Sequence, residues 1–196
     1  ILTDVEAMSH PSLFWRSFTH WIGGMGVLVF LLAVLPMAGG SQFQLMKAES
    51  PGPSVGKLVP KVGATARILY IIYFAMTVAT IVLLLLGGMD PFDAVTISFG
   101  TAGTGGFGVK ADSCAGYPTF CIWVITVFMI LFGVNFNFYY YLVFKRIRDA
   151  FKIEEVRWYF IIVAAATGVC FLTLVDDMSS FDAMTHSAFQ VATIIT

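Results

Sequence analysis

The residues of this chain whose types and spacing could do chemistry are small and uncharged, in the run TAGTGGF at positions 101–107. Irregular backbone at membrane depth is tolerated only where it is buried in protein or lines a water-filled path. Glycine and threonine leave backbone carbonyl oxygens accessible, and rings of such oxygens bind cations. The run therefore predicts a backbone cation site, which we place at Thr101, Ala102, Gly103, Thr104 and Gly105.

Other chemistry has little support in the sequence. No GxSxG or HExxH phrase is present, and neither CxxC pairing nor metal-ligand spacing relates Cys114, Cys121 and Cys170. Cys114 and Cys121 could form a disulfide, although buried free thiols are favoured. We expect no enzymatic activity and no cofactor. An intramembrane hydrolase is a less favoured alternative, because its ionisable candidates, Asp93 and Asp182, begin short helices near the outer surface; a non-transporting membrane scaffold also remains open.

The composition is that of an integral membrane protein. Hydrophobic residues make up 58% of the chain, charged residues 12%, and the mean hydropathy is +0.85, whereas soluble domains carry about 25% charged residues. Four apolar runs without Asp, Glu, Lys or Arg approach or exceed the roughly 20 residues that a spanning helix needs. They cover residues 17–35, 68–86, 119–144 and 158–175. We predict an all-α polytopic membrane protein with four spanning helices. Because the chain lacks an initiator Met and closes inside an apolar run, we expect it to be an excerpt of a longer protein.

Basic residues are concentrated in two of the connections between apolar runs. The positive-inside rule places both connections on the cytoplasmic side. They contain nine of the eleven Lys and Arg residues: Lys47, Lys57, Lys61, Arg67, Lys145, Arg146, Arg148, Lys152 and Arg157. The opposite face is acidic. Either its loops simply lack basic residues, or a negative vestibule concentrates cations at a pore mouth.

A short phrase, MxxFDA, recurs at residues 89–94 and 178–183, each time after an apolar run. Each copy predicts a helix too short to cross the membrane, with Asp93 or Asp182 near the positive end of the helix dipole. Helix capping is favoured over ion binding for both. In the first hairpin, a pore helix over 91–100 would descend and a filter over 101–107 would return. Carbonyl rings of this kind replace the hydration shell of potassium.

At this point the sequence resembles a known family, the membrane subunits of Trk/Ktr potassium uptake transporters of the bacterial TrkH type. Five phrases carry the resemblance, in the order and at the spacing of the family: LFWRSFTHWIGGMGVLVF at 13–30, ESPGP at 49–53, TARILYIIY at 65–73, FDAVTISFGTAGTGGF at 92–107 and HSAFQVATIIT at 186–196. The resemblance implies an incomplete set of repeats, each a helix, a re-entrant pore helix with a filter strand, and a second helix, in a potassium-channel-like arrangement around a central pore.

The resemblance also implies a division of the chain. Residues 1–36 would end repeat one with its second helix, 37–64 and 145–157 would be cytoplasmic loops, and 158–196 would hold the first helix and the truncated pore helix of repeat three. Residues 65–144 would form repeat two completely, with helix 65–87, pore helix 91–100, filter 101–107 and helix 118–144. The filter glycine falls on Gly105, and Gly106, Phe107 and Asp93 would support the filter.

The implied function is potassium uptake across the bacterial cytoplasmic membrane through a backbone-carbonyl selectivity filter, with potassium as the metal held at the filter carbonyls. The resemblance further implies a homodimer and a cytoplasmic nucleotide-binding regulatory subunit; no nucleic acid is expected as a partner. Arg16 and His20, four residues apart, share one face of the first helix. For Arg16 we favour snorkelling to the interface or an acidic partner over gating. For Asn135 and Asn137 we favour hydrogen bonds to neighbouring helices over pore lining. For His186 we favour packing over a pH-sensitive role.

Overall fold

A computed structural model describes residues 5–26 and 62–196 of the chain. Helices make up the regular structure of these residues: α1 His10–Gly24, α2 Val62–Leu86, α3 Pro91–Ala102, α4 Thr119–Phe132, α5 Phe136–Val143, α6 Ile147–Ala150, α7 Glu154–Leu174 and α8 Ser180–Ile195. No strand occurs in the described ranges, so the predicted all-α class is confirmed. The second half of the first predicted span and most of the predicted loop 37–64 lie outside the described residues.

Helix α3 occupies the centre of the packing. It contacts α1, α2 and α4, while α8 packs against α4 and α7. The core between α2, α3 and α4 is apolar and contains Leu84, Ile97 and Ile125, all at most 2% exposed. A second core surrounds the buried ring of Tyr73 and includes Ala102 at the end of α3. The short helix is therefore held on several sides by longer ones.

Among the described residues, two helices are long and apolar enough to cross a membrane, Ala66–Leu86 and Glu154–Leu174. They agree with the predicted spans 68–86 and 158–175. Many of their large apolar side chains are exposed, among them Leu86 and Leu172 at 77% and 70%. A lipid environment accounts for such exposure, since hydrocarbon side chains at these positions would otherwise face water.

The prediction of one continuous helix over 118–144 is wrong. The chain bends by 90° between α4 and α5, because Gly133 ends α4 and the side chain of Asn135 caps α5 by accepting a hydrogen bond from the Asn137 amide at 3.0 Å. The amide of Asn135 also donates to Glu155 Oε2 at 2.7 Å, which confirms the predicted contact with a neighbouring helix. The run 119–144 was identified by its lack of charged residues. Glycine and asparagine carry no charge, so this criterion does not detect the bend.

The two MxxFDA copies both begin short helices, as predicted, but their caps come from other residues. The carboxylate of Asp90 accepts a hydrogen bond from the Phe92 amide at 3.0 Å and caps α3. The hydroxyl of Ser179 accepts from the Asp182 amide at 3.2 Å and donates to the Asp182 carboxylate at 2.7 Å. Asp182 thus takes part in the cap of α8. Asp93 lies in the first turn of α3 but does not supply its side-chain cap.

Candidate filter site

The Gly/Thr segment, defined here as residues 103–107, follows α3 directly. The amides of Thr104 and Gly105 donate to carbonyls in the last turns of the helix at 3.0 and 2.9 Å. Thr104 and Gly106 have φ angles of +59° and +63°. A β-branched residue seldom adopts a positive φ, and the Thr104 hydroxyl contacts the Gly103 carbonyl oxygen at 2.7 Å. The backbone reverses tightly here and then leads into the loop before α4.

The predicted boundary between pore helix and filter is wrong by two residues. Helix α3 runs to Ala102 rather than to residue 100, so Thr101 and Ala102 form its last turn. The carbonyl of Thr101 accepts the Thr104 amide, and the Thr101 hydroxyl donates to the Ile97 carbonyl at 2.8 Å. Both residues are buried. Because Thr101 and Ala102 complete helical hydrogen bonds, only Gly103, Thr104 and Gly105 of the predicted five lie beyond the helix, where the backbone reverses.

Most backbone carbonyls of the Gly/Thr segment have no hydrogen-bond donor among the described residues. Within residues 5–26 and 62–196, no hydrogen bond reaches the carbonyl oxygens of residues 104–107. Nearly all buried carbonyls in proteins have a partner, and these residues are half-buried. Four successive carbonyls without donors can accept water or coordinate a cation.

One face of α1 lies against the Gly/Thr segment. Arg16, His20 and Gly24 are spaced four residues apart and share that face. A Cβ atom at Gly24 would lie 2.8 Å from the Gly103 Cα and 3.1 Å from the Ala102 carbonyl oxygen. Glycine is therefore required where the helix and this backbone approach most closely.

Arg16 and His20 both contact the ring of Phe107. The guanidinium carbon of Arg16 lies 4.3 Å from the ring centroid, and the His20 ring packs edge-on at 4.9 Å. Arg16 thus makes a cation–π contact. The sequence instead predicts that it snorkels to the interface or pairs with an acidic residue. The Phe107 ring also packs against Gly105, since a Cβ atom at Gly105 would lie 2.5 Å from it.

The opposite side of the segment faces α8 and α4. A Cβ atom at Gly106 would lie 2.5 Å from the Thr193 methyl group and 3.1 Å from the Met129 sulfur. Next to this contact is a cavity of about 420 Å³, bounded by residues 105–107, the loop 112–115, Ile122 and α8. His186 of α8 lines this cavity together with Phe189 and Gln190, so it does not only pack against protein.

Asp93 ties the loop after the Gly/Thr segment to the start of α3. The Tyr117 hydroxyl donates to Asp93 Oδ2 at 2.6 Å, and the Lys110 ammonium lies 3.6 Å from the same oxygen and 4.4 Å from the centre of the Tyr117 ring. Burial, followed by the hydrogen bond to Asp93, raises the pKa of the Tyr117 hydroxyl. Asp93 thus contacts two residues of this loop, while Asp90 supplies the side-chain cap of α3.

Several contacts could not be read from the sequence. No sequence pattern marked the contacts of Lys110, Tyr117 and Thr193, because the partners of these residues are distant along the chain. The four-residue spacing of Arg16 and His20 was the one pattern that pointed to a shared face. Cys114 and Cys121 are buried free thiols, so the less favoured disulfide is absent. The described ranges also contain no cluster of acidic, His and Cys residues that could hold a metal ion.

Comparison with known proteins identifies the same family across the whole chain. The model of the family described as "TrkH: Cation transport protein" matches residues 1–194. The Trk system potassium uptake protein TrkH of Vibrio parahaemolyticus is 33% identical, with 100% of this chain aligned to 42% of that protein. The protein of the same name from Escherichia coli K12 is 34% identical over 88% of this chain and 36% of its own length.

A solved structure agrees with the sequence comparisons. The crystal structure of the potassium transporter TrkH from Vibrio parahaemolyticus superposes with a TM-score of 0.75 at 29% identity, over 97% of this chain and 39% of that one. The chain thus spans about two fifths of the length of the relatives it matches. On the match of the family model to nearly all of its residues, the chain belongs to the TrkH family of cation transport proteins.

Proposed function

We propose that this chain forms part of a potassium uptake pore in the bacterial cytoplasmic membrane, and that residues 65–144 supply one repeat of its selectivity filter. The carbonyls of Gly103, Thr104 and Gly105 would coordinate the ion, with Gly106, Phe107 and Asp93 in support. The observation that carries the proposal is the run of carbonyls at 104–107 without hydrogen-bond donors among the described residues, just after a short buried helix. The named activity of the relatives, potassium uptake, supports the same assignment.

The direction of α3 favours a cation at this place. A helix carries partial negative charge at its C-terminal end, and α3 ends at Ala102, next to the Gly/Thr segment. Helix α3 has no basic residue in its last turn. The C-terminal end of α3 and the carbonyls without donors therefore both present negative potential to a cation. This lowers the electrostatic cost of moving the cation out of water.

We further propose that the basic connection at residues 145–157 is cytoplasmic and that this side of a homodimer contacts a nucleotide-binding regulatory subunit. Residues 145–149 in this connection are exposed. Ile147 and Phe151 are both 56% exposed among basic residues, a combination that suits a protein or headgroup contact.

Potassium selectivity of a Gly105→Ala variant of the full-length transporter in liposomes tests the filter assignment. A Cβ atom at Gly105 would lie 2.5 Å from both His20 Nε2 and Phe107 Cε1, so these rings or the backbone of the segment must shift. We expect the preference for potassium over sodium to fall several-fold. Gly23→Ala is the matched control, because no described atom lies within 4 Å of a Cβ there. Unchanged selectivity in Gly105→Ala would refute the assignment, and a wild-type protein without potassium flux would favour a scaffold.

A further inference from the structure

We infer that His20, on the helix that precedes this repeat, fixes the position of the Gly/Thr segment and thereby sets its preference among alkali cations. His20 is a positioning residue in this account, since its ring contacts the backbone that would hold the ion. The inference rests on the proposed function and deepens it. It assigns part of the selectivity of one repeat to a side chain from another.

The first observation is the fit between the His20 ring and Gly103. The three atoms nearest to a Cβ at Gly103 all belong to that ring: Cδ2, Nε2 at 2.6 Å and Cγ at 3.0 Å. Any side chain at position 103 must therefore displace the histidine. The His20 ring therefore occupies the space that a side chain at Gly103 would need.

The second observation is that the same ring reaches Gly105 and Phe107. His20 Nε2 lies 2.5 Å from a Cβ position at Gly105, on the side where the Phe107 ring also packs. The His20 and Phe107 rings meet edge to face at an interplanar angle of 62°. One side chain thus limits the movement of the first and third residues of the segment and of the aromatic ring that ends it.

The third observation is that α1 is fixed beside His20. The Trp21 indole donates to the Thr77 hydroxyl at 3.1 Å, and the Tyr73 hydroxyl donates to the Trp21 carbonyl at 2.8 Å. Both partners belong to α2 of the repeat that contains the Gly/Thr segment. His20 is consequently held in a fixed position relative to the Gly/Thr segment. Discrimination between cations by backbone carbonyls depends on the size of the binding site and on the number of coordinating oxygens. A side chain that limits the movement of these carbonyls therefore affects ion selectivity.

A double-mutant cycle in the full-length transporter tests this contact. The readouts are the potassium KM, the maximal uptake rate and the preference for potassium over sodium in liposomes. We expect His20→Ala to raise the KM and lower the preference several-fold with a smaller change in maximal rate. Gly103→Ala should lose more, and His20→Ala/Gly103→Ala should recover part of that loss, because removal of the ring makes room for the new methyl group.

Gly105 provides the matched negative control. His20→Ala should not rescue Gly105→Ala, because the Phe107 ring still occupies the position of the new methyl group. His20→Phe should retain more selectivity than His20→Ala, since a ring still fills the space. Thr19→Ala, on an exposed neighbour whose hydroxyl bonds only within α1, should behave as wild type.

The inference and the proposed function fail in different ways. A wild-type protein without potassium flux would contradict the proposed function. A selective wild type in which the effects of His20→Ala and Gly103→Ala are additive would overturn the inference alone. Equal rescue of Gly103→Ala and Gly105→Ala would also overturn it, because a general loosening of the protein, not a specific contact, would then explain the recovery. If His20→Ala does not fold, His20→Phe is combined with Gly103→Ala; recovery in that pair, which keeps a ring in place, would overturn the inference.

Discussion

The Tyr117 hydroxyl donates a hydrogen bond of 2.6 Å to the carboxylate of Asp93, and this bond closes the loop that follows the Gly/Thr segment. Asp93 lies in the first turn of α3 and Tyr117 lies just before α4. Between these two residues the chain passes through the short helix, the bare carbonyls and the loop that precedes α4. The bond therefore links the two ends of the candidate filter structure, and Lys110 adds a weaker ionic contact at 3.6 Å.

Tyr117→Phe should lower the stability of this loop. Hydrogen bonds to charged groups contribute about 1.5–3 kcal/mol, and the substitution leaves the ring in place while removing the donor. We expect a lower thermal unfolding midpoint for the purified protein and a reduced preference for potassium. Tyr141→Phe on α5, outside this loop, serves as the control. Wild-type values for Tyr117→Phe in both measurements would contradict a supporting role for the bond.

The contribution of Tyr117 should be insensitive to pH near neutrality. Its folded-state pKa is raised by burial and by the bond to Asp93, so the stabilisation is fully present below the ordinary tyrosine value of about 10 and is lost as the pH rises through the higher folded value. The difference in unfolding midpoint between wild type and Tyr117→Phe should stay constant between about pH 6 and about pH 9. A difference that disappears within this range would be inconsistent with the buried bond.

Cys114 should react slowly with thiol reagents in the folded protein. Its side chain is 4% exposed, and burial raises the pKa of the thiol, which lowers the fraction of reactive thiolate. We expect maleimide labelling of Cys114, followed by peptide mass spectrometry, to be much slower in the native protein than after denaturation. The same rate in both states would show that this loop is open to solvent.

Gly133→Ala should destabilise the protein, whereas the same change at Gly168 should not. A Cβ atom at Gly133 would lie 2.5 Å from the Tyr159 hydroxyl, which donates to the Ile130 carbonyl at 3.0 Å. Overpacking of this kind costs about 1–3 kcal/mol. No described atom lies within 4 Å of a Cβ at Gly168, and alanine is the better helix former by about 0.5–1 kcal/mol. Equal unfolding midpoints for the two variants would contradict the close packing at the bend.

Asn135 offers a second test of the bend between α4 and α5. Asn135→Ala removes the cap of α5, worth about 1 kcal/mol, together with the hydrogen bond to Glu155. Asn135→Ser keeps a capping hydroxyl but is too short to reach Glu155. We expect the unfolding midpoint to fall furthest for Asn135→Ala and less for Asn135→Ser. Identical losses would indicate that the bond to Glu155, rather than the cap, stabilises the bend.

The sequence by itself determined the class of the protein and the order of its parts. Long apolar runs are a local property, since each spanning helix must be apolar along its own length. The same holds for Pro91 and the MxxFDA phrase, which mark the start of a short helix, and for the glycines and threonines that leave backbone carbonyls accessible. Membrane class, short helix and candidate filter could be predicted because each depends on neighbouring residues.

Only the tertiary structure decided where these parts end and what they contact. Helix α3 continues through Thr101 and Ala102 because their surroundings are buried and their hydrogen bonds are helical, although the residue types also suit an extended filter. The bend at Gly133 depends on a close approach by Tyr159. His20 meets Gly103 across more than eighty residues of sequence, and no local pattern can specify such a contact. It exists because α1, α2 and α3 pack together, and packing is a property of the assembled helices.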